Sequence, residues 1–305
     1  MEKIKGIFLE RINRFACKVD TDGKEQEAFL PDSKRLSRII ERNDEVILAT
    51  TRGKFPYKII ATKLDNLWIF LDNLIVGNFL EEEIEKGNLP VFKNWKIESK
   101  KEKINSYKVD LILKKKNKKM LCKINYCLSA INGISTFPDT LNLGRIKDIK
   151  ELTKKKREGK SSAIIFVAPR EDVKDFAPNS TISLSYSKNL YKAILEGVEI
   201  YLVVIGLDPS NFSLKINLCK KLDILEILRN EYHIWRYPEV FIKNFEKIKR
   251  EIFIEMVGTT CYHCSFEENF YDFLDFARER GLYFKVKEIT SKPGKLYATL
   301  RLNFY

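Results

Sequence analysis

Asp110, Lys123 and Asn125 are the residues whose types and spacing come nearest to chemistry. The stretch from Tyr107 to Asp139 reads as a strand ending near Asp110, a lysine-rich hairpin, and a second strand through Leu121–Cys127. Alternate strand residues share a face. An aspartate on one strand and an acid-x-lysine pair on the next would aim three side chains at one divalent metal and its water, an arrangement suited to metal-dependent phosphodiester cleavage. Here Asp110 is present, but the pair positions hold Lys123 and Asn125. An ammonium has donors only and cannot ligate a cation. The spacing predicts that Lys123 forms an ion pair with Asp110 in the metal's place, and that its charge is offered to a phosphate. No acid occurs between Met120 and Thr136, so sliding the register by one residue does not restore the pair.

The elements that must position these residues fall into three units. Residues 1–66 read as about five short strands with an Asp22-Gly23 turn, the strongest short hairpin signal. That pattern predicts an OB-like β-barrel, with one helical turn within Pro31–Asn43. Residues 67–225 alternate strands and helices: a strand at Trp68–Leu71, a helix at Asn78–Glu85, the Asp110 and Lys123 strands, and a charged helix at Leu143–Gly159. Apolar β-branched strands at Ser162–Ala168 and Val198–Ile205 flank a helix at Ser187–Glu196, giving a mixed α/β domain. Residues 226–305 predict a small α+β extension: helices at Pro238–Glu251 and Phe266–Arg280, a strand at Ile252–Val257, and a hairpin across Lys292-Pro293-Gly294.

Composition narrows the partners. The chain has 305 residues and a formal net charge of +13, mostly from lysine. A polyanion is the expected partner, although a lysine-rich surface also suits growth at high temperature. The N-terminus has no long apolar core, and the apolar runs are strand-sized, too short to span a membrane. Six cysteines without a leader point to reduced thiols in a cytoplasm. Cys261 and Cys264 form one CxxC, two ligands of the four zinc takes, and are read as reduced packing residues at the mouth of a helix. Arg11, Arg14, Lys34, Arg35 and Lys54, interleaved with Phe55 and Tyr57, combine phosphate-neutralising charge with stacking surface. The run Lys114–Lys119 reads as a solvated hairpin tip.

Several ordered motifs carry a resemblance. GIFLERINRFACKVD, LPDSKRL and KFPYKII, then STFPD, FVAPREDVKDFAPN, EGVEIYLVVIGL and KINLCKKLDI, resemble the sugar fermentation stimulation protein family from about Gly6 to Leu225. The resemblance implies an OB-like domain followed by a PD-(D/E)xK nuclease-like domain, together DNA-binding and nuclease-like. Its active site would use a helix glutamate, a strand aspartate and a Glu-x-Lys pair, falling here at Glu82, Asp110, and Lys123 with Asn125. The family's threonine-glutamate-arginine-glycine run reads Asn142-Leu143-Gly144-Arg145 here.

The function expected is binding of nucleic acid, DNA before RNA, by a degenerate nuclease-like protein with no cofactor. One alternative is an active nuclease holding Mg or Mn on Asp110 and Glu82. Another is a protein-interaction subunit, or a homo-oligomer, acting through residues 226–305; exposure of Phe266, Phe270, Tyr271 and Phe273 would favour it.

Overall fold

In this computed structural model the described residues are 2–31, 39–64, 66–104, 107–235, 252–257, 261–266, 283–292 and 295–303. The first strands are β1 (Lys3–Arg11), β2 (Ala16–Thr21), β3 (Lys24–Phe29), β4 (Glu45–Thr50), β5 (Tyr57–Leu64) and β6 (Leu67–Phe70). Asp22 and Gly23 both adopt positive φ, 54° and 80°, so the β2–β3 hairpin turns as the Asp-Gly pair predicts. Neighbours run β3-β2-β1-β4-β5, and β3 also pairs with β5 in parallel. That last pairing closes a five-stranded OB barrel. Alternate residues of its strands, Cys17 and Val19, Val46 and Leu48, fill the interior. Most of Pro31–Asn43, including Lys34 and Arg35, lies outside the described residues.

The sequence assigns the strand near Trp68 to the second unit. The structure pairs β6 with β5 instead, Ala61 opposite Phe70. Four residues are too few for periodicity to choose a partner; hydrogen bonding does.

Helix α1 (Asn73–Lys86) follows, capped by Asp72 and ended by left-handed Gly87. Then come β7 (Lys96–Lys100), β8 (Lys103–Ile104), β9 (Tyr107–Lys108), β10 (Leu111–Lys115), β11 (Lys118–Tyr126), β12 (Ala130–Ile131) and β13 (Ile134–Phe137). The domain continues through α2 (Leu143–Arg157), β14 (Ser161–Ala168), β15 (Asp175–Pro178), α3 (Ser180–Leu195), β16 (Glu199–Asp208), β17 (Ser213–Leu222) and α4 (Ile224–Trp235). Its main sheet has the order β17-β16-β14-β11-β10-β7. The central strands β11, β14 and β16 are parallel and covered on both faces, which is why β14 and β16 are continuously apolar. Val76, Leu80 and Ile84 of α1 pack on one face with Cys122, Ile124 and Val203. Ile146, Ile149 and Leu190 of α2 and α3 pack on the other with Leu121 and Cys127. Helix α4 adds Leu225, Ile227 and Leu228 to that second core, so the core reaches past the expected close of this unit near Leu225.

The two units are stitched together. Phe70 N donates to Pro169 O at 2.9 Å, and Ile69 bridges to Arg170. Arg170, 7% exposed, grips Asp172 through two 2.7 Å hydrogen bonds and donates to Leu128 O at 3.0 Å. Leu128 itself is part of the barrel core.

The C-terminal strands β18 (Ile252–Val257), β19 (Cys261–Phe266), β20 (Tyr283–Lys292) and β21 (Lys295–Asn303) form an antiparallel sheet ordered β18-β19-β21-β20. The hairpin across Lys292 and Lys295 is present. Cys261 and Cys264 lie within β19, on a strand. The helix at Pro238–Glu251, and Phe270, Tyr271 and Phe273, fall outside the described residues.

Candidate functional site

Residues of β11 alternate between the two cores. Met120, Cys122 and Ile124 face α1, while Leu121, and Cys127 just past the strand's end, face α2 and α3. Lys123 and Asn125 share the parity of the second set, and both are buried, at 8% and 4% exposure. Asp110 sits just before β10. Its backbone N–H donates to Cys122 O at 3.0 Å, and its Oδ2 accepts from Ile124 N at 2.8 Å. This clamp sets the aspartate beside Lys123, whose Nζ lies 3.3 Å from Asp110 Oδ2. The ion pair expected from the spacing is therefore present.

Lys123 is also engaged by other groups of the protein. Its Nζ also lies 3.5 Å from Asp148 Oδ2 and donates to Lys108 O at 3.2 Å. Lys108 O and Asp110 Oδ1 accept hydrogen bonds from the ammonium, which also rests 5.8 Å from the centroid of the Tyr107 ring. Asp148, one turn after Arg145 on α2, is 3.8 Å from that guanidinium. The Lys–Asp–Asp–Arg set is neutral overall. Burial pushes the Asp148 carboxyl above its usual range, against the pull of Lys123 and Arg145. Burial also raises the Tyr107 phenol, with smaller help from Asp148 and Asp110. Asn125 donates from Nδ2 to Tyr186 Oη at 3.4 Å, and its buried Oδ1 finds no partner.

Glu82 is not brought to this cluster. Its side chain is 60% exposed and pairs with Lys86 one turn on, at 2.7 Å. Glu81 is the acid on the cleft side. It lines a cavity of about 270 Å³ with Asn73, Gly77, Asp110, Tyr126 and Arg145, and pairs with Lys100 at 2.5 Å. A side chain at Gly77 would collide with the Tyr126 hydroxyl, 2.5 Å from an ideal Cβ, so glycine lets the cleft wall close.

These donors do not fit a divalent cation. Magnesium needs oxygen ligands in near-octahedral array. Asp110 is held by a backbone N–H and an ammonium, and the position facing it carries a positive charge. Among the described residues no three of His, Cys, Asp and Glu gather into a group that could hold a metal.

On the barrel, Arg14 and Lys54 are exposed on the β1–β2 and β4–β5 loops. Arg14 lies 4.9 Å from the Phe15 centroid and Lys54 5.5 Å from that of Phe55. Arg11 is half-buried opposite Cys17, where it partly offsets the burial that pushes that thiol up to about 12. Tyr57 packs against the barrel core. In the β10–β11 hairpin, Lys119 and Lys114 pair with Glu98 at 2.7 and 3.6 Å. Sequence reasoning missed Asp148, Glu81, Phe29 and Lys58. The i, i+3 spacing of Arg145 and Asp148 was an available signal for the first.

Comparisons with known proteins agree with this architecture. The family model for the SfsA N-terminal OB domain matches residues 9–71, and that for the sugar fermentation stimulation protein RE domain matches residues 72–211. A sugar fermentation stimulation protein homolog of Caldanaerobacter subterraneus is 29% identical over 217 residues, 70% of this chain and 94% of that protein. A homolog from Thermoanaerobacter sp. is 30% identical over 202 residues, 65% of this chain and 88% of the other. Among solved structures, Pyrococcus furiosus SfsA in complex with Ca2+ superposes with a TM-score of 0.67 at 21% identity, covering 73% of this chain and 96% of that one. At that identity the likeness is one of fold. With the two domain models in tandem and relatives covered nearly end to end, the chain belongs to the sugar fermentation stimulation protein family.

Proposed function

We propose that this protein binds nucleic acid, DNA in preference to RNA, mainly through the phosphate backbone, and does not cleave it efficiently. The observation that carries the reading is the Lys123–Asp110 ion pair, 3.3 Å long, standing where a nuclease of this fold would hold its metal. The OB barrel, the exposed Arg14 and Lys54, and the net charge of +13 support binding. The chain works in the cytoplasm without a resident cofactor, and residues 226–305 are available for a protein partner or a second copy. No helix among the described residues is long and apolar enough to cross a membrane.

A second reading is a divalent-metal nuclease. It is favoured by the Ca2+ complex of the Pyrococcus furiosus relative. Its acids here would be Asp110 with Glu81 or Glu82, holding Mg or Mn.

One titration separates the two. Labelled single- and double-stranded DNA and RNA are mixed with the protein at low salt, with and without Mg or Mn, and followed for both binding and cleavage. Binding without cleavage is expected. Metal-dependent cleavage abolished by Asp110→Ala would overturn the binding-only reading.

A further inference from the structure

Three phenylalanines at one end of the barrel lie outside its core. Phe15 is on the β1–β2 loop, Phe29 ends β3, and Phe55 is on the β4–β5 loop. None belongs to the barrel's hydrophobic cluster. Phe15 and Phe29 are nearly parallel, 8° apart with centroids at 6.3 Å, and Phe55 continues the row 6.4 Å from Phe29. Phe15 is 46% exposed and its neighbour Ile12 44%, so this loop holds apolar surface in water without burying it.

The loops hold the rings in place. Asn13 Oδ1 accepts from Phe15 N and Ala16 N at 2.9 and 3.1 Å. Leu30 N donates to Phe15 O at 2.9 Å, and Thr51 N to Pro56 O at 2.9 Å. Cations flank each ring. Arg14 and Lys54 sit over Phe15 and Phe55, and Lys58, opposite Phe29 in the β3–β5 register, lies 5.8 Å from that ring's centroid.

We infer that the Phe15–Phe29–Phe55 row stacks the bases of a single nucleic-acid strand, with Arg14 and Lys54 placed to meet its phosphates. Every base has a π-face, so such a row is indifferent to sequence, and paired bases inside a duplex cannot present their faces to it. This rests on the nucleic-acid-binding reading and deepens it: the barrel takes single strands by stacking as well as by charge.

The test uses the full chain and fluorescence anisotropy at low salt with three labelled probes: an oligothymidylate, an abasic strand of equal phosphate count, and a duplex. The thymidylate is expected to bind about tenfold tighter than the abasic strand. Phe15→Ala and Phe55→Ala should each remove most of that advantage while abasic affinity holds, and Phe15→Trp should keep it. Phe15 is half in solvent, so its substitution tests stacking without testing folding. Equal binding of thymidylate and abasic strands by the unmodified protein would overturn the inference. So would equal losses on both probes from Phe15→Ala. Binding of duplex alone would sink the stacking row while leaving the nucleic-acid reading intact; binding of no probe would sink both.

Discussion

Lys58 Nζ lies 2.6 Å from Asp72 Oδ2, joining a barrel strand to the cap of helix α1. The other carboxylate oxygen of Asp72 accepts from Leu74 N at 3.0 Å. One buried aspartate thus satisfies an orphan N–H of the helix and holds the lysine that lies over Phe29.

Asp72→Ala should therefore cost about 1–2 kcal/mol from the lost cap alone, and more from the abandoned lysine. Asp72→Asn keeps the cap and should cost less. Urea unfolding of the two variants decides the matter, and equal losses would mean the ion pair outweighs the cap.

Lys123→Ala leaves Asp110 and Asp148 facing each other without their shared cation. Stability should fall by about 1–3 kcal/mol, while DNA affinity at low salt stays unchanged because the donors of Lys123 already have protein partners. A large loss of affinity at intact stability would contradict the internal role assigned to this lysine.

The paired substitution Lys123→Glu with Asn125→Lys rebuilds the acid-x-lysine pattern beside Asp110. Its melting midpoint should rise with Mn2+, since a ligand that binds only the folded state at 100 times its Kd adds about 2.7 kcal/mol. The unmodified protein should show no such rise, and an equal rise in both would show that the metal binds elsewhere.

Asp148 gives a pH dependence with a definite sign. Burial raises its folded value above 3.8, so in the window from 3.8 up to that value the folded state holds more protons than the unfolded one. The contribution is present below 3.8 and lost as pH rises through the raised value. Asp148→Asn should flatten this slope in a stability-versus-pH series; an unchanged slope would assign it to other groups.

If the five cations named from the sequence, Arg11, Arg14, Lys34, Arg35 and Lys54, each meet one phosphate, duplex affinity should fall as roughly the fourth to fifth power of salt. Arg14→Ala and Lys54→Ala should each lower that exponent by about one. An exponent insensitive to both would move the interface off this end of the barrel.

Local rules made much of this legible. The Asp22-Gly23 turn announces its hairpin, and strand alternation alone puts Lys123 and Asn125 on one face. The run Glu81-Glu82-Glu83 shows where such rules stop. Successive helix residues differ by about 100° in direction, so one pairs with Lys100 across the cleft, one with Lys86, and Glu83 turns inward to accept from Asn88 at 2.8 Å. Three identical letters carry no signal for that rotation; only the packing of α1 fixes it. Phe29 was hidden for the opposite reason, since an aromatic at a strand end reads as core until the register sets it beside Phe15 and Lys58.

Leu128 belongs by chain position to the nuclease-like unit, yet it is fully buried among barrel residues, with Arg170 holding its carbonyl. A barrel cut free after β6 would carry an empty socket where that leucine sits, and deleting a buried leucine typically costs about 2–5 kcal/mol. The boundary between the two matched domains is thus not a clean line through the packing: the first domain's core is completed by a residue borrowed from the second.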